Sequence, residues 1–386
     1  MAETEKRRVF TMRKILSKIC VLIIVIYAIS CCNKSKKSSF LSYINHPRPS
    51  YKTRIFDHAN LIQHKNSLDS HLKTLYILAN IDMVVITFSD LQNTDIDDIA
   101  AKLLTNWRIG ENTNGLKGIL FILSVKEELV RFEIGYDLEY IYTDGFVGYI
   151  ERDQMAPFFE AGRVQDGIEA TLEMIIARVN ERIEENTYNP KEKIKNSSNN
   201  YYSGGAGTKE KVQIKEIKIP DKTNYPDDIQ SLFTPQPTPE EAYLLDIEKC
   251  KRHIRGYHFD LYTDETREIS KNWVFTKAQM DNEVRDIRGK TFKVIIKGEL
   301  AIIIFEPQYR NCAPIYLKKN DKGWQLDIAT MSKTIHFDMR NQAHIGKSEY
   351  VPLFKENGYT FGVNGFLYYG GQEPAYLDIF NVIVYL

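Results

Sequence analysis

The sequence predicts an α/β protein in two parts: an N-terminal αβα sandwich and a separate C-terminal α+β, strand-rich domain. Three observations carry this. Over residues 51–186, apolar strand-like runs alternate with amphipathic helical periods. Residues 187–237 break that pattern with a polar, Gly/Ser/Asn/Lys-rich stretch that reads as a flexible linker. Residues 238–386 open with one helical period and then give mostly short β-type runs. A chain of 386 residues is long enough for two or three domains. Its 51 acidic and 51 basic side chains cancel, which leaves no accumulated positive charge for nucleic acid and excludes that class of partner.

Residues 1–31 have a basic start (Lys6-Arg7-Arg8, Arg13-Lys14) followed by the apolar run Ile19 to Ile29. That run is short of the roughly 20 residues needed to cross a bilayer, and small Ser30 follows it, as in a secretory signal. Translation from either Met1 or Met12 fits this pattern. Ala28-Ile29-Ser30-Cys31 resembles a bacterial lipobox, which implies lipidation of Cys31; an uncleaved signal anchor is the alternative. Either way the expectation is a membrane-anchored protein of the cell envelope on the non-cytoplasmic side. Residues 32–50 then serve as a polar tether. Cys250 and Cys312 either pair in an oxidising compartment or stay as free thiols.

The first domain begins near Arg54, and Leu61, Leu68, Leu72, Leu75 and Leu78 mark one face of a helix ending near Asn80. Ile81 to Phe88 is a buried strand, and Asp95 to Trp107 a second helix with Ile96, Ile99, Leu103 and Leu104 on one side. Gly118 to Leu123 is apolar throughout, whereas Leu129 to Ile134 alternates apolar and charged residues, so the two make a hairpin. A third helix runs from Asp144 towards Pro157, and a fourth from Gln165 to Glu185. In the second domain, Thr238 and Glu241 frame a helix start with Pro239 at its first position. Strands are expected at 273–275, 291–296, 300–305, 313–317 and 324–327, with turns at Lys297-Gly298 and Asn320 to Gly323. Residues 366–369 and 382–386 read as further strands. Short β runs at 212–214 and 217–219 are either an edge strand or unstructured.

The carboxylates are the candidate chemistry. Asp90 ends a strand, Asp57 precedes the first helix, and Asp137, Glu139 and Asp144 follow the hairpin. Oxygen ligands converging beyond strand ends suit Ca²⁺ or Mg²⁺. Local roles compete: Thr143 or Asp144 as a helix cap, Asp57 with Asn60 as another, and Trp107 as a packing residue. No His/Cys cluster suits zinc, and no nucleophile stands beside a base.

The order of motifs resembles the TPM domain family over residues 51–186. Phe56-Asp57-His58-Ala59-Asn60-Leu61, Trp107-Arg108-Ile109-Gly110, Gly118-Ile119-Leu120, Gly135-Tyr136-Asp137-Leu138-Glu139, Thr143-Asp144 and Pro157-Phe158-Phe159 occur in the family's sequence. Asp137 replaces a glycine of the family pattern, and Lys117 stands where relatives often carry Asn. The resemblance implies a divalent cation held at Asp57, Glu139 and Asp144; Asp90 and Asp137 join that set by proximity. It also implies acid phosphatase activity as an alternative. The leading expectation is thus a membrane-tethered envelope protein that binds a divalent cation and contacts envelope partners, and a non-metal interaction scaffold whose carboxylates are helix caps is a third reading.

Overall fold

The computed structural model describes residues 43–113, 115–191, 207–214, 227–338, 342–362 and 365–369. The signal segment, Cys31 and the expected strand at 382–386 lie outside the described residues. Ile55–Asp57 (β1), Asp82–Phe88 (β2), Gly118–Ser124 (β3), Leu129–Ile134 (β4) and Gly207–Lys211 (β5) form one sheet in that spatial order. β1, β2 and β3 are parallel, while β4 and β5 run antiparallel to their neighbours. Every residue of β2 and β3 is buried, because both faces of the sheet are covered.

Lys65–Ala79 (α1) lays Leu68, Leu72 and Leu75 on one face. Ile96–Asn106 (α2) lays Ile99, Leu103 and Leu104 on the other, where Trp107 closes the helix as a core residue. Asp95 caps α2 by accepting from the Asp97 amide at 2.7 Å, and α1 stops at Asn80, whose left-handed φ of 55° is a common helix ending. Asp144–Ile150 (α3) passes through a π-turn, Glu151–Met155, into Ala156–Glu160 (α4); Val164–Glu184 (α5) then packs beside α1. The αβα sandwich is therefore present with the expected helices and strands.

Two expectations about its borders are corrected. Within the expected tether, Ile44 is fully buried on the α2 face and the Arg48 guanidinium lies 2.8 Å from Asp82. Within the expected linker, Gly207–Lys211 pairs along β4, so the sheet gains a fifth strand before residues 212–214. An exposed β4 edge supplies a hydrogen-bonding partner to any extended chain that reaches it, whatever its hydropathy.

In the C-terminal part, Phe292–Lys297 (β6), Leu300–Phe305 (β7), Ile315–Asn320 (β8) and Gly323–Leu326 (β9) form an antiparallel meander. Pro239–Lys251 (α6) begins with the expected Thr238/Glu241 capping box and covers one face with Tyr243 and Ile247. Tyr350, Leu353 and Phe354 at the helix Val351–Glu356 cover the other. Residues 273–275 are not a strand: Trp273 and Phe275 pack edge-on against Tyr257, and Thr276 opens the helix Lys277–Asp286 (α7) with a second capping box. Cys250 and Cys312 are free thiols.

The two parts are docked rather than loosely strung. Ala278 of α7 enters the N-terminal core, and the Tyr149 hydroxyl donates to Asp281 at 2.8 Å. The same carboxylate lies 2.6 Å from His253 Nε2, and the Thr276 hydroxyl donates to Gln154 of the π-turn. No helix among the described residues is long and apolar enough to cross a membrane.

Candidate functional site

The sheet places the predicted carboxylates in two separate groups. Asp57 pairs in register with Thr87, so it sits at the carboxyl end of the parallel strands, and Asp90 follows just beyond Phe88. β4 runs the other way: Ile134 is opposite Ile119, and the Asp137 amide donates to the Leu116 carbonyl at 3.1 Å. Asp137 and Glu139 therefore lie at the amino end of β3. Asp144 stays on that side, opening α3 two residues after Tyr142, whose amide is bonded to Leu138 at 2.8 Å. About six strand residues separate the groups, close to 20 Å at 3.3 Å per residue. Ligands of one Ca²⁺ ion lie within about 2.6 Å of it, so the five carboxylates do not fit a common cation. Among the described residues, no group of three His, Cys, Asp or Glu side chains is arranged to hold a metal.

At the carboxyl end, each acid has a local task. Asp57 Oδ1 accepts from the Leu61 amide at 3.0 Å and the Thr87 hydroxyl at 2.5 Å, and Oδ2 accepts from the Ile62 amide at 3.0 Å. Burial alone would raise its pKa, but these donors outweigh it and hold the carboxyl below its ordinary value. Asp90 is partly exposed, and its pKa is held down chiefly by the Lys126 ammonium, 2.6 Å away, and by the Gln92 amide. His58 stacks on Phe88 and meets Tyr43 edge-on, and burial lowers its pKa. At the other end, Thr143 is the helix cap, accepting from the Phe146 amide at 3.3 Å, while Asp144 is an exposed first-turn acid. The capping interpretation thus holds for Thr143, whereas Asp57 does not cap α1, whose N-cap is His64 without a side-chain bond; Asp57 instead ties down the loop before that helix.

Two buried clusters carry stronger electrostatics, and neither was among the sequence candidates. Glu151, in the π-turn, is fully buried: Oε1 accepts from the Thr208 hydroxyl of β5 at 2.9 Å and Oε2 has no partner. Burial raises its pKa to about 8. In the C-terminal part, Lys249 is 2 % exposed and lies 3.1 Å from Asp246, donates to the Gly256 carbonyl at 3.2 Å, and faces the Tyr257 and Tyr262 rings. Next to it the Cys250 thiol donates to Glu283 at 3.4 Å, beside a cavity of about 340 Å³. Burial pushes both the Glu283 carboxyl and the Cys250 thiol upward, so this cysteine is held as a thiol, the unreactive form. The i,i+3 spacing of Asp246 and Lys249 on an otherwise apolar helix face is the one signal in the sequence that pointed here.

Comparison with known proteins agrees with the motif order. Residues 55–178 match the profile of the TPM domain family. Among solved structures, the chain is similar to the solution NMR structure of the N-terminal domain of a protein from P. gingivalis, at 26% identity over 34% of this chain and 86% of that one. The TM-score of that match is 0.32. No curated protein matches the sequence.

Proposed function

We propose, from the premise that residues 55–178 are a TPM domain, that the chain is a binding protein of the cell envelope, tethered to a membrane through Cys31. In this reading the TPM domain is a rigid interaction scaffold for envelope partners, not a phosphatase or a cation store. The state of the Asp57 carboxylate supports it most: both oxygens are committed to the loop and to Thr87, which leaves the residue architectural. The separation of Asp57 and Asp90 from Asp137, Glu139 and Asp144 supports the same reading against Ca²⁺ or Mg²⁺ binding.

Calorimetric titration of the full chain with Ca²⁺ and Mg²⁺ tests it. The expected result is no saturable heat at millimolar metal and a melting temperature unmoved by EDTA. Asp57→Ala should lower stability by about 3 kcal/mol through its stranded donors, and Asp144→Ala by well under 1 kcal/mol. Saturable metal binding abolished by Asp144→Ala would replace the scaffold with the cation-binding reading. Phosphomonoester turnover lost with Asp57→Ala would replace it with the phosphatase. Detergent-phase partitioning that survives Cys31→Ala would refute the lipid tether.

A further inference from the structure

Between the two parts of the chain lies a cleft of about 560 Å³, walled by α5 on one side and by α7 with the loop after β7 on the other. Its charges do not cancel locally. Arg178 is 3.2 Å from Glu181, and Arg285 is 3.3 Å from Asp286, whose own pKa is raised by burial. Among the described residues neither Lys290 nor Arg310 has a carboxylate within ion-pair distance, although Lys290 is near enough to Asp286 to act on its charge. The Lys290 ammonium donates to the Asn311 side chain at 3.0 Å and the Cys312 sulfur at 3.2 Å. Arg310 donates to the Leu367 carbonyl at 3.3 Å, and its guanidinium lies 4.8 Å from the ring centres of Phe366 and Tyr368. Glu184 is the remaining acid of the lining, on an exposed position near the end of α5.

A third observation points the same way. Asn180 Nδ2, in the α5 wall, is a buried donor with no acceptor. Leaving such a group unsatisfied costs about 1–3 kcal/mol, so the cleft gains when a rotation of the Asn180 side chain brings this donor to an arriving acceptor. Phe146, Tyr149 and Tyr309 add flat apolar wall to the same space. Two half-buried cations held in place by neutral partners, an unanswered amide donor and aromatic sides match an oxyanion on a flat apolar body.

We propose that this cleft binds a small aromatic oxyanion, a carboxylate or phosphate head held by Lys290 and Arg310. The proposal goes beyond the scaffold reading and does not need it. Because the walls come from both parts, occupancy ties them together, and the ligand stabilises the docked state.

The test is calorimetry on the full chain with benzoate, phenyl phosphate, inorganic phosphate and benzamidine, which has the same ring and the opposite charge. At least one aromatic anion should bind more tightly than inorganic phosphate, and benzamidine should not compete. Lys290→Gln with Arg310→Gln should weaken binding at least about tenfold, with circular dichroism and the melting curve kept. The single variant Asn180→Leu, which removes the orphan donor, should weaken it by a smaller factor and serves if the double variant misfolds. No binding of either aromatic anion at about 10 mM, equal binding of benzamidine, or affinity unchanged in both variants would overturn the proposal. Hydrolysis of phenyl phosphate would refute the non-catalytic reading above while leaving this site standing, provided the Lys290 and Arg310 variants still lose binding.

Discussion

Glu151→Gln tests how far one buried carboxyl sets the pH range of the N-terminal part. Glu151 is fully buried, has a single hydrogen bond, from Thr208, and has a pKa raised to about 8 from 4.5. The charged groups that act on it are Glu210 of β5, which adds to the rise, and Arg131 of β4, which opposes it. The folded state binds this proton more tightly than the unfolded state does. Its contribution is therefore complete below about pH 4.5 and is lost progressively as the pH climbs to about 8. Applying the linkage relation to those two values, stability falls by about 3 kcal/mol from acid to pH 7 and by nearly 5 by pH 9. Gln at this position does not titrate, and it leaves a buried N–H pair to satisfy at a cost of about 1–3 kcal/mol. The variant should be less stable than the parent at pH 5 and more stable at pH 9. Urea unfolding read by Trp107 fluorescence, in a Trp273→Phe, Trp324→Phe background, isolates this part of the chain because the protein has 3 tryptophans. A difference between variant and parent that stays constant from pH 5 to 9 would refute the reasoning.

Other outcomes follow from the same packing. A Cβ at Gly118 would lie 2.6 Å from the Ile109 carbonyl oxygen, so Gly118→Ala should cost about 2–4 kcal/mol in thermal or urea unfolding. Gly148→Ala, in α3 with nothing within 4 Å of the new methyl, should instead stabilise by about 0.5–1 kcal/mol. Tyr149→Phe and Asp281→Asn, measured singly and together, should show a coupling of about 1 kcal/mol across the docking contact. Additivity of the two within experimental error would mean that this bond does not hold the parts together.

Local chemistry was the most legible part of the fold. Thr238 and Glu241 sit three residues apart and Asn320 to Gly323 close a tight turn, so neighbouring residues decide the outcome. The apolar run of β3 needed only its own composition to announce burial on both faces. β5 was not legible there, because Gly-Thr-Lys-Glu-Lys has no apolar alternation and owes its strand to the waiting edge of β4. The candidate site failed for a related reason. Asp90 follows β2 and Asp137 follows β4, both just past a strand end in sequence, but antiparallel β4 carries the chain back to the opposite end of the sheet. Glu151 gave no warning, since nothing in the string from Ile150 to Met155 distinguishes a π-turn with a buried acid from an ordinary amphipathic helix. Lys290 and Arg310 are unremarkable in sequence, and the cleft they line forms only where the C-terminal part meets α5.

β5 has one more consequence. It follows α5 in sequence and completes the N-terminal sheet, but it is covalently continuous with the C-terminal part. A protease site introduced between Lys191 and Gly207 would cut the backbone without cutting the ladder between β4 and β5. The two pieces would then act as complementing fragments, each carrying a strand or a core residue that the other needs, and they should co-elute on gel filtration until denaturant is added. The covalent boundary between the halves and the structural boundary between them fall in different places along the chain.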